Sequence, residues 1–338
     1  MSLRPVDELN AETPLQALSL RVTPPSQVYV RSHSPPPASS AEEWGLTVRG
    51  AQEVIFSLDS LQAMAATTAT VTMECAGNGR DGMDPQPGGT PWGLGAVSTA
   101  SYTGVPLTAV LGKAGLPPGT VEVLFTGADS GEIAPGRIET YRRSLPLAVA
   151  TDPGVLLAWE MGGEPLTPEH GAPLRLVVPR WYGMASVKWL TSIEAITEPF
   201  SGYYQDDRYV YDGEEGLADG TPVTTARVRS LIASPRDGEE VGGQVEIAGS
   251  AWSGDGAISS VEVSVDGGAS WRQAQLDQPR SPAVATLWSL PWAAPSGTHQ
   301  LAARATDAAG NVQPLQPVWN EHGYGNNAVH RVTVTATP

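Results

Sequence analysis

Met73-Glu74-Cys75-Ala76-Gly77-Asn78-Gly79-Arg80 holds the one cysteine of a 338-residue chain. It closes an extended run rich in β-branched residues, Thr67 to Met73, that reads as a strand. Two glycines and an asparagine follow, and they permit positive φ and a tight turn. Arg80 ends the turn and brings a permanent cation near the thiol. Such a cation favours the thiolate, the form that attacks or binds metal. A cysteine acting as a small buried hydrophobe needs no Gly-Asn-Gly-Arg behind it, so the stretch reads as a site.

The rest of the chain limits what that site can be. At this length two domains are expected. With 37 Gly, 30 Pro and only 17% charged residues, many turns and short strands are expected rather than long helices. A formal net charge of -16 argues against nucleic acid as a partner and suits a basic one. One cysteine rules out an intrachain disulfide framework and an all-cysteine metal site. No Cys-x-x-Cys-His is present, so covalent c-type haem is excluded. No run approaches the ~18 apolar residues of a membrane span. The first thirty residues lack a basic start and apolar core. The expectation is a cytoplasmic protein as the sequence stands, or a periplasmic one if a signal peptide has been removed.

Upstream, Val28-Tyr29-Val30-Arg31 is expected to be a short strand running into Ser32-His33-Ser34 and three prolines. Prolines cannot continue a sheet, so Arg31 and His33 sit where a strand becomes a rigid loop. Trp44 to Gly50 is another strand, and Ser57 or Asp59 caps a short helix. Downstream, residues 81–95 form a turn-rich loop expected to wrap the site's mouth. Pro106 to Leu116 is a short amphipathic helix ended by glycine, and Val121 to Phe125 a strand delivering Asp129 to its end. Tyr141 to Pro146, with Ser144, is expected to open a helical or turn segment. Val155 to Met161 is a buried strand leading into a Gly-Gly turn. Arg175 and Lys188 each flank a strongly apolar strand, an uncommon place for a solvated charge.

Asp219-Gly220-Thr221-Pro222 marks a boundary. Beyond it short strands recur: Ala226–Ile232, Gln244–Ala251, Ser260–Asp266, Ala285–Leu290, His299–Thr306 and Ala328–Thr335. Val261, Val263 and Val265 alternate with polar residues, the period of a half-buried strand. Asp266-Gly267-Gly268 signals a hairpin. The expected fold is α+β: a mixed α/β domain over residues 1–222, then an all-β immunoglobulin-like sandwich without a disulfide over 223–338.

Glu74 to Arg80 resembles the molybdenum-ligand motif of the sulfite oxidase family, and further motifs follow in family order from about residue 28 to the end. The resemblance implies that Cys75 binds molybdenum carried by molybdopterin. Arg31, Arg80, Tyr209 and His322 would then be catalytic with Cys75. His33, Asp129, Ser144, His170, Arg175, Ser186 and Lys188 would hold the pterin and its phosphate. Tyr209 follows from aligning on Gln205, and Tyr204 and Tyr211 stay open as the active-site tyrosine. Where the animal enzymes carry an arginine after Trp319-Asn320, this chain has His322, whose charge depends on pH. Gly249-Ser-Ala-Trp, Val263-Ser-Val-Asp-Gly-Gly and Ala305-Thr-Asp-Ala-Ala-Gly-Asn resemble the family's dimerisation domain, implying a homodimer.

The implied reaction is oxidation of sulfite to sulfate, with two electrons passed to an external acceptor such as a c-type cytochrome. Other substrates of the same cofactor, such as a sulfane sulfur or another oxyanion, are the first alternative. A cysteine hydrolase using Cys75 with His33 or His170 would need an oxyanion hole that no sequence feature supplies. A non-catalytic binding module built on the sandwich alone leaves residues 28–220 without a role.

Overall fold

The computed structural model describes residues 2–38, 44–278 and 281–337. In chain order the principal strands of the first half are β1 (Leu46–Arg49), β2 (Glu53–Phe56), β3 (Thr67–Glu74), β4 (Val97–Pro106), β5 (Glu122–Ala134), β6 (Arg137–Pro146), β7 (Leu156–Met161), β8 (Glu164–Pro165), β9 (Arg175–Val177) and β10 (Leu190–Ile196). They form two sheets. One runs β2-β1-β10-β5-β6, with β1 and β10 parallel. The other runs β8-β7-β4-β3, with β9 also paired to β7, and is antiparallel throughout. Helix α2 (Leu107–Ala114) lends Leu107, Val110 and Leu111 to a core shared with Leu46, Val48, Val123, Phe125 and Ile193. Gly115, at φ +71, ends it. Ser57, not Asp59, caps helix α1 (Leu58–Gln62), its hydroxyl accepting from the Ser60 amide at 3.2 Å.

Three sequence expectations are corrected. Val28–Arg31 is not a strand. The prolines ahead of it place a tight turn at Pro25–Gln27, and only Val30 makes a bridge, to Ala11. The amide of Tyr29 is taken by the Ser98 hydroxyl at 2.9 Å. Strand β5 does not stop at Phe125. It continues past Asp129, with its register shifted between Thr126 and Ser130. Tyr141–Pro146 is neither helix nor turn. Pro135-Gly136, with Gly136 at φ +76, reverses the chain, and β6 pairs back on β5 with Ser144 opposite Leu124.

The second half contains β11 (Arg229–Ser234), β12 (Glu239–Val241), β13 (Gln244–Trp252), β14 (Ile258–Ser264), β15 (Arg272–Gln273), β16 (Gln275–Leu276), β17 (Thr286–Ala293), β18 (Gly297–Asp307) and β19 (His330–Ala336). Sheets β11-β13-β17-β16 and β12-β19-β18-β14-β15 face each other across a core that includes Ile247, Val261, Val263, Trp288, Leu301, Ala303, Val332 and Val334. This is the expected sandwich, its strands displaced by a few residues at their ends. Between β18 and β19 the chain makes a long excursion, residues 308–329, that returns to the Cys75 loop.

Candidate active site

Cys75 follows directly on β3, and its thiol is almost buried, 8% exposed. The loop behind it is held at every step. The Cys75 amide donates to the Ala96 carbonyl at 2.9 Å, and the Cys75 carbonyl accepts from the Asn78 amide at 2.9 Å. Gly79 stands at φ +82, and a Cβ there would lie 2.6 Å from Arg229 Nη2. Glu74, 2% exposed, anchors the loop to the sandwich. Its Oε1 accepts from Arg229 Nη1 at 2.8 Å and Asn78 Nδ2 at 2.9 Å, and its Oε2 from Trp252 Nε1 at 2.8 Å. The excursion adds Asn326 Nδ2, which donates to the Gly79 carbonyl at 2.7 Å, and the Gly325 amide, which donates to the Ala76 carbonyl at 2.8 Å.

Cys75 forms part of the lining of a cleft that it shares with Arg31, His33, Asp129, His170, Arg175, Ser186, Lys188 and Tyr209. His33 accepts from or donates to the Tyr209 hydroxyl at 3.0 Å and stacks on Tyr141 at 5.3 Å. Burial, aided by Arg31, Arg208 and Lys188, holds its pKa well below the usual histidine range, so it is neutral at pH 7. Arg31 Nη1 is tied to the Ser32 carbonyl and to Asn10 Oδ1. Arg175 donates to the His170 carbonyl at 3.0 Å and packs over the Tyr102 ring at 5.6 Å. Lys188 Nζ donates to Ser32 Oγ and to the Glu169 carbonyl, both at 2.7 Å. Burial, with Arg175 beside it, pushes its pKa well down. Burial pushes Asp129 up to about 6 and, with Arg175 and Lys188 nearby, His170 down to about 4.

The donors in this cleft end on carbonyls and hydroxyls, which satisfy geometry but not charge. Asp129 is the cleft's one buried carboxylate, and its Oδ1 has no hydrogen-bond partner. Arg31, Arg175 and Lys188, the first and last half-buried and Arg175 buried, thus form a cationic surplus that an anionic group would neutralise. Among the described residues no set of three His, Cys, Asp or Glu is grouped to cage a metal. A soft metal at the Cys75 thiolate would draw its further ligands from a cofactor. A phosphate-bearing pterin that carries its own sulfur ligands fits both ends of the cleft.

Three residues assigned from sequence stand elsewhere. The buried Ser144 hydroxyl does not line the cleft and has no partner, while the Ser144 amide donates to Gln205 Oε1 at 3.3 Å. Arg80 is not among the residues lining the cleft; it donates to the His322 and Thr90 carbonyls at 2.9 and 2.7 Å, its guanidinium 5.4 Å over Tyr324. The His322 ring turns to Asp212, with Nε2 3.3 Å from Oδ2, and it is the backbone of His322 that holds Arg80. Of the three open tyrosines, Tyr209 lines the cleft, Tyr204 tilts against His33 at 5.0 Å, and Tyr211 lies beneath Arg227. Tyr324, which stacks on Tyr209 at 5.3 Å, and Arg143, buried with its Nη1 on the Tyr204 carbonyl, escaped the sequence reading. The family's tyrosine motif drew attention only to the residues beside Gln205.

Comparison with known proteins agrees with this geometry. The profile of the oxidoreductase molybdopterin-binding domain matches residues 33–204, and that of the Mo-co oxidoreductase dimerisation domain matches 221–337. The chain belongs to the molybdopterin-binding oxidoreductases. It is 39% identical to human mitochondrial sulfite oxidase over 97% of its own length and 64% of that protein's. It is 33% identical to the inducible NADH nitrate reductase 2 of Glycine max over 96% of its length and 40% of that protein's. The sulfane dehydrogenase SoxCD of Paracoccus pantotrophus superposes on 98% of the chain, covering 87% of its own, with a TM-score of 0.85 at 29% identity.

Proposed function

We propose that the protein is a molybdopterin-dependent oxidoreductase acting on a small anionic sulfur substrate and passing electrons to an external acceptor. One observation carries this reading: a nearly buried thiol shares one cleft with three cations, Arg31, Arg175 and Lys188, none of them in an ion pair among the described residues. When bound, the cofactor supplies the two-electron oxidation. Cys75 would supply the protein's ligand to molybdenum. His170, Arg175, Ser186 and Lys188 would hold the pterin and its phosphate, with Asp129 accepting from the pterin's N–H groups. Arg31 orients the anion, and the Tyr209 hydroxyl, fixed by neutral His33, is placed to move a proton as electrons leave. Two substrates fit. Identity to the sulfite oxidases supports free sulfite. The likeness to a sulfane dehydrogenase over nearly the whole chain supports a sulfane sulfur.

The test measures reduction of ferricyanide or cytochrome c by protein of known molybdenum content, with sulfite and with a protein-bound or small-molecule persulfide as donors. Turnover with one donor, proportional to molybdenum and lost in Cys75→Ser, is expected. Turnover that persists in Cys75→Ser would sink the reading.

A further inference from the structure

Arg208 closes the turn Tyr203–Asp207, its amide donating to the Tyr203 carbonyl at 2.9 Å. Its guanidinium is half-buried, and among the described residues it makes no hydrogen bond, ion pair or ring contact. Nearby carboxylates are engaged or turned away. Asp206 Oδ2 accepts from the Gly202 amide at 3.0 Å, Asp212 faces His322 at 3.3 Å, and Asp207 is exposed.

The guanidinium instead faces other cations. A Cβ built on Gly89, which stands at φ +107, would lie 3.1 Å from Arg80 Nη1 and 3.3 Å from Arg208 Nη2. The two arginines therefore flank one point on the 81–95 loop. From there Tyr324 and Tyr209, stacked at 5.3 Å, lead into the cleft beside Arg31 and Cys75. The charge of Arg208 is felt at His33, Arg80, Tyr209, His322 and Tyr324. Burial and Arg208 hold the His322 pKa below its usual value, against the pull of Asp212. Two arginines held close with no counter-ion repel each other, and a small anion with two or more acceptor oxygens relieves that repulsion for both.

We propose that Arg208, together with Arg80 across the Gly89 backbone, forms an anion-receiving mouth to the cleft and selects small multiply charged oxyanions. Arg208 is then the specificity-determining cation that the engaged ring of His322 does not supply. This rests on the cleft being the place where a small sulfur anion reacts, but it concerns a separate event, recognition of the oxyanion.

The experiment titrates the molybdenum-loaded full chain with sulfate by calorimetry at low ionic strength, in the wild type, R208Q, R208K and R272Q. Arg272 is exposed on β15 and serves as a control for loss of one positive charge. R208Q is expected to bind sulfate at least about tenfold more weakly, R208K to fall between, and R272Q to stay within about twofold. The KM for the turned-over sulfur anion should rise in R208Q in step with sulfate affinity, with kcat changed much less. R208Q within twofold of wild type overturns the proposal, as does absence of sulfate binding to the wild type at millimolar concentration. R208K supplies the folded, charge-retaining comparison if R208Q misfolds: sulfate affinity equal to wild type in a variant lacking the planar fork would overturn bidentate recognition. If sulfate binding depends on Arg208 but no sulfur donor is oxidised, the proposed reaction fails and the mouth stands. Normal turnover with sulfate binding indifferent to Arg208 removes the mouth alone.

Discussion

Replacing Arg229 with methionine tests how the thiol loop is held. Arg229 and Glu74 are each 2% exposed along their side chains, and their ion pair, 2.8 Å long, joins β11 to the residue preceding Cys75. Removing one partner of a buried pair costs about 3–5 kcal/mol, because the remaining charge is stranded. Glu74 keeps the Trp252 and Asn78 donors at 2.8 and 2.9 Å, so the lower end, about 3 kcal/mol, is expected. In a chain of this size that lowers the melting temperature by roughly 4 °C. Glu74→Gln with Arg229→Met removes both charges together, so the pair of changes should cost less than the sum of the single ones, with a coupling of about 2 kcal/mol. Urea unfolding followed by tryptophan fluorescence gives the energies, and alkylation of Cys75 in cofactor-free protein reports the loop directly. Thiol alkylation should accelerate in R229M. A single change costing under about 1 kcal/mol, or additive costs in the double variant, would refute the idea that this pair clamps the loop.

Arg175→Met should leave cofactor-free protein as stable as the wild type or slightly more so, because a buried cation without a carboxylate partner is replaced by a similar apolar volume. The same variant should retain several-fold less molybdenum, so melts and metal analysis read the two effects separately. A clear loss of stability with unchanged molybdenum would contradict the cofactor role. His330, whose Nδ1 accepts from the Ile232 amide at 3.1 Å, is pushed down to about 4 by burial, with Arg229 adding to it. The unfolded chain binds this proton near pH 6.5 and the native protein does not. The stability linked to this group is therefore whole above pH 6.5 and drains away as pH falls toward 4, by about 3 kcal/mol. Urea midpoints between pH 7.5 and 4.5 should show that fall, and His330→Gln should flatten part of it. An unchanged slope in the variant would disprove the assignment.

The motifs were legible wherever local chemistry set local structure. β-Branched residues mark β3, glycine ends α2, and valine alternation marks β14. The Tyr141–Pro146 segment misled because Arg142 and Arg143 hide the alternation of a strand. Arg143 faces inward, fully buried, and Arg142 lies on Phe200 at 5.2 Å, so both strand faces carry a charge. The reversal at Pro135-Gly136 was the available signal. At the site, sequence order placed Cys75, Arg31, His33, His170, Arg175, Lys188 and Tyr209 among the candidates, and the fold brings them into one cleft. It could not show that the His322 ring turns toward Asp212 or that Glu74 meets Arg229 and Trp252. Those contacts join distant stretches, and nothing in the intervening residues encodes the pairing.

That long reach bears on the order in which the molecule is made. The loop carrying Cys75 takes partners 151 to 249 residues further along, from Asn78 with Arg229 to Ala76 with Gly325. A chain emerging from the ribosome presents its thiol well before the walls that enclose it exist. Contacts so distant in sequence close late, after the local sheets have formed. An N-terminal fragment could fold its strands and still leave the loop unclamped, its thiol open to oxidants and stray metals. The last residues of the sandwich and its excursion thus act as the closing piece of the site, and a cofactor too large for the finished entrance would have to arrive before they dock.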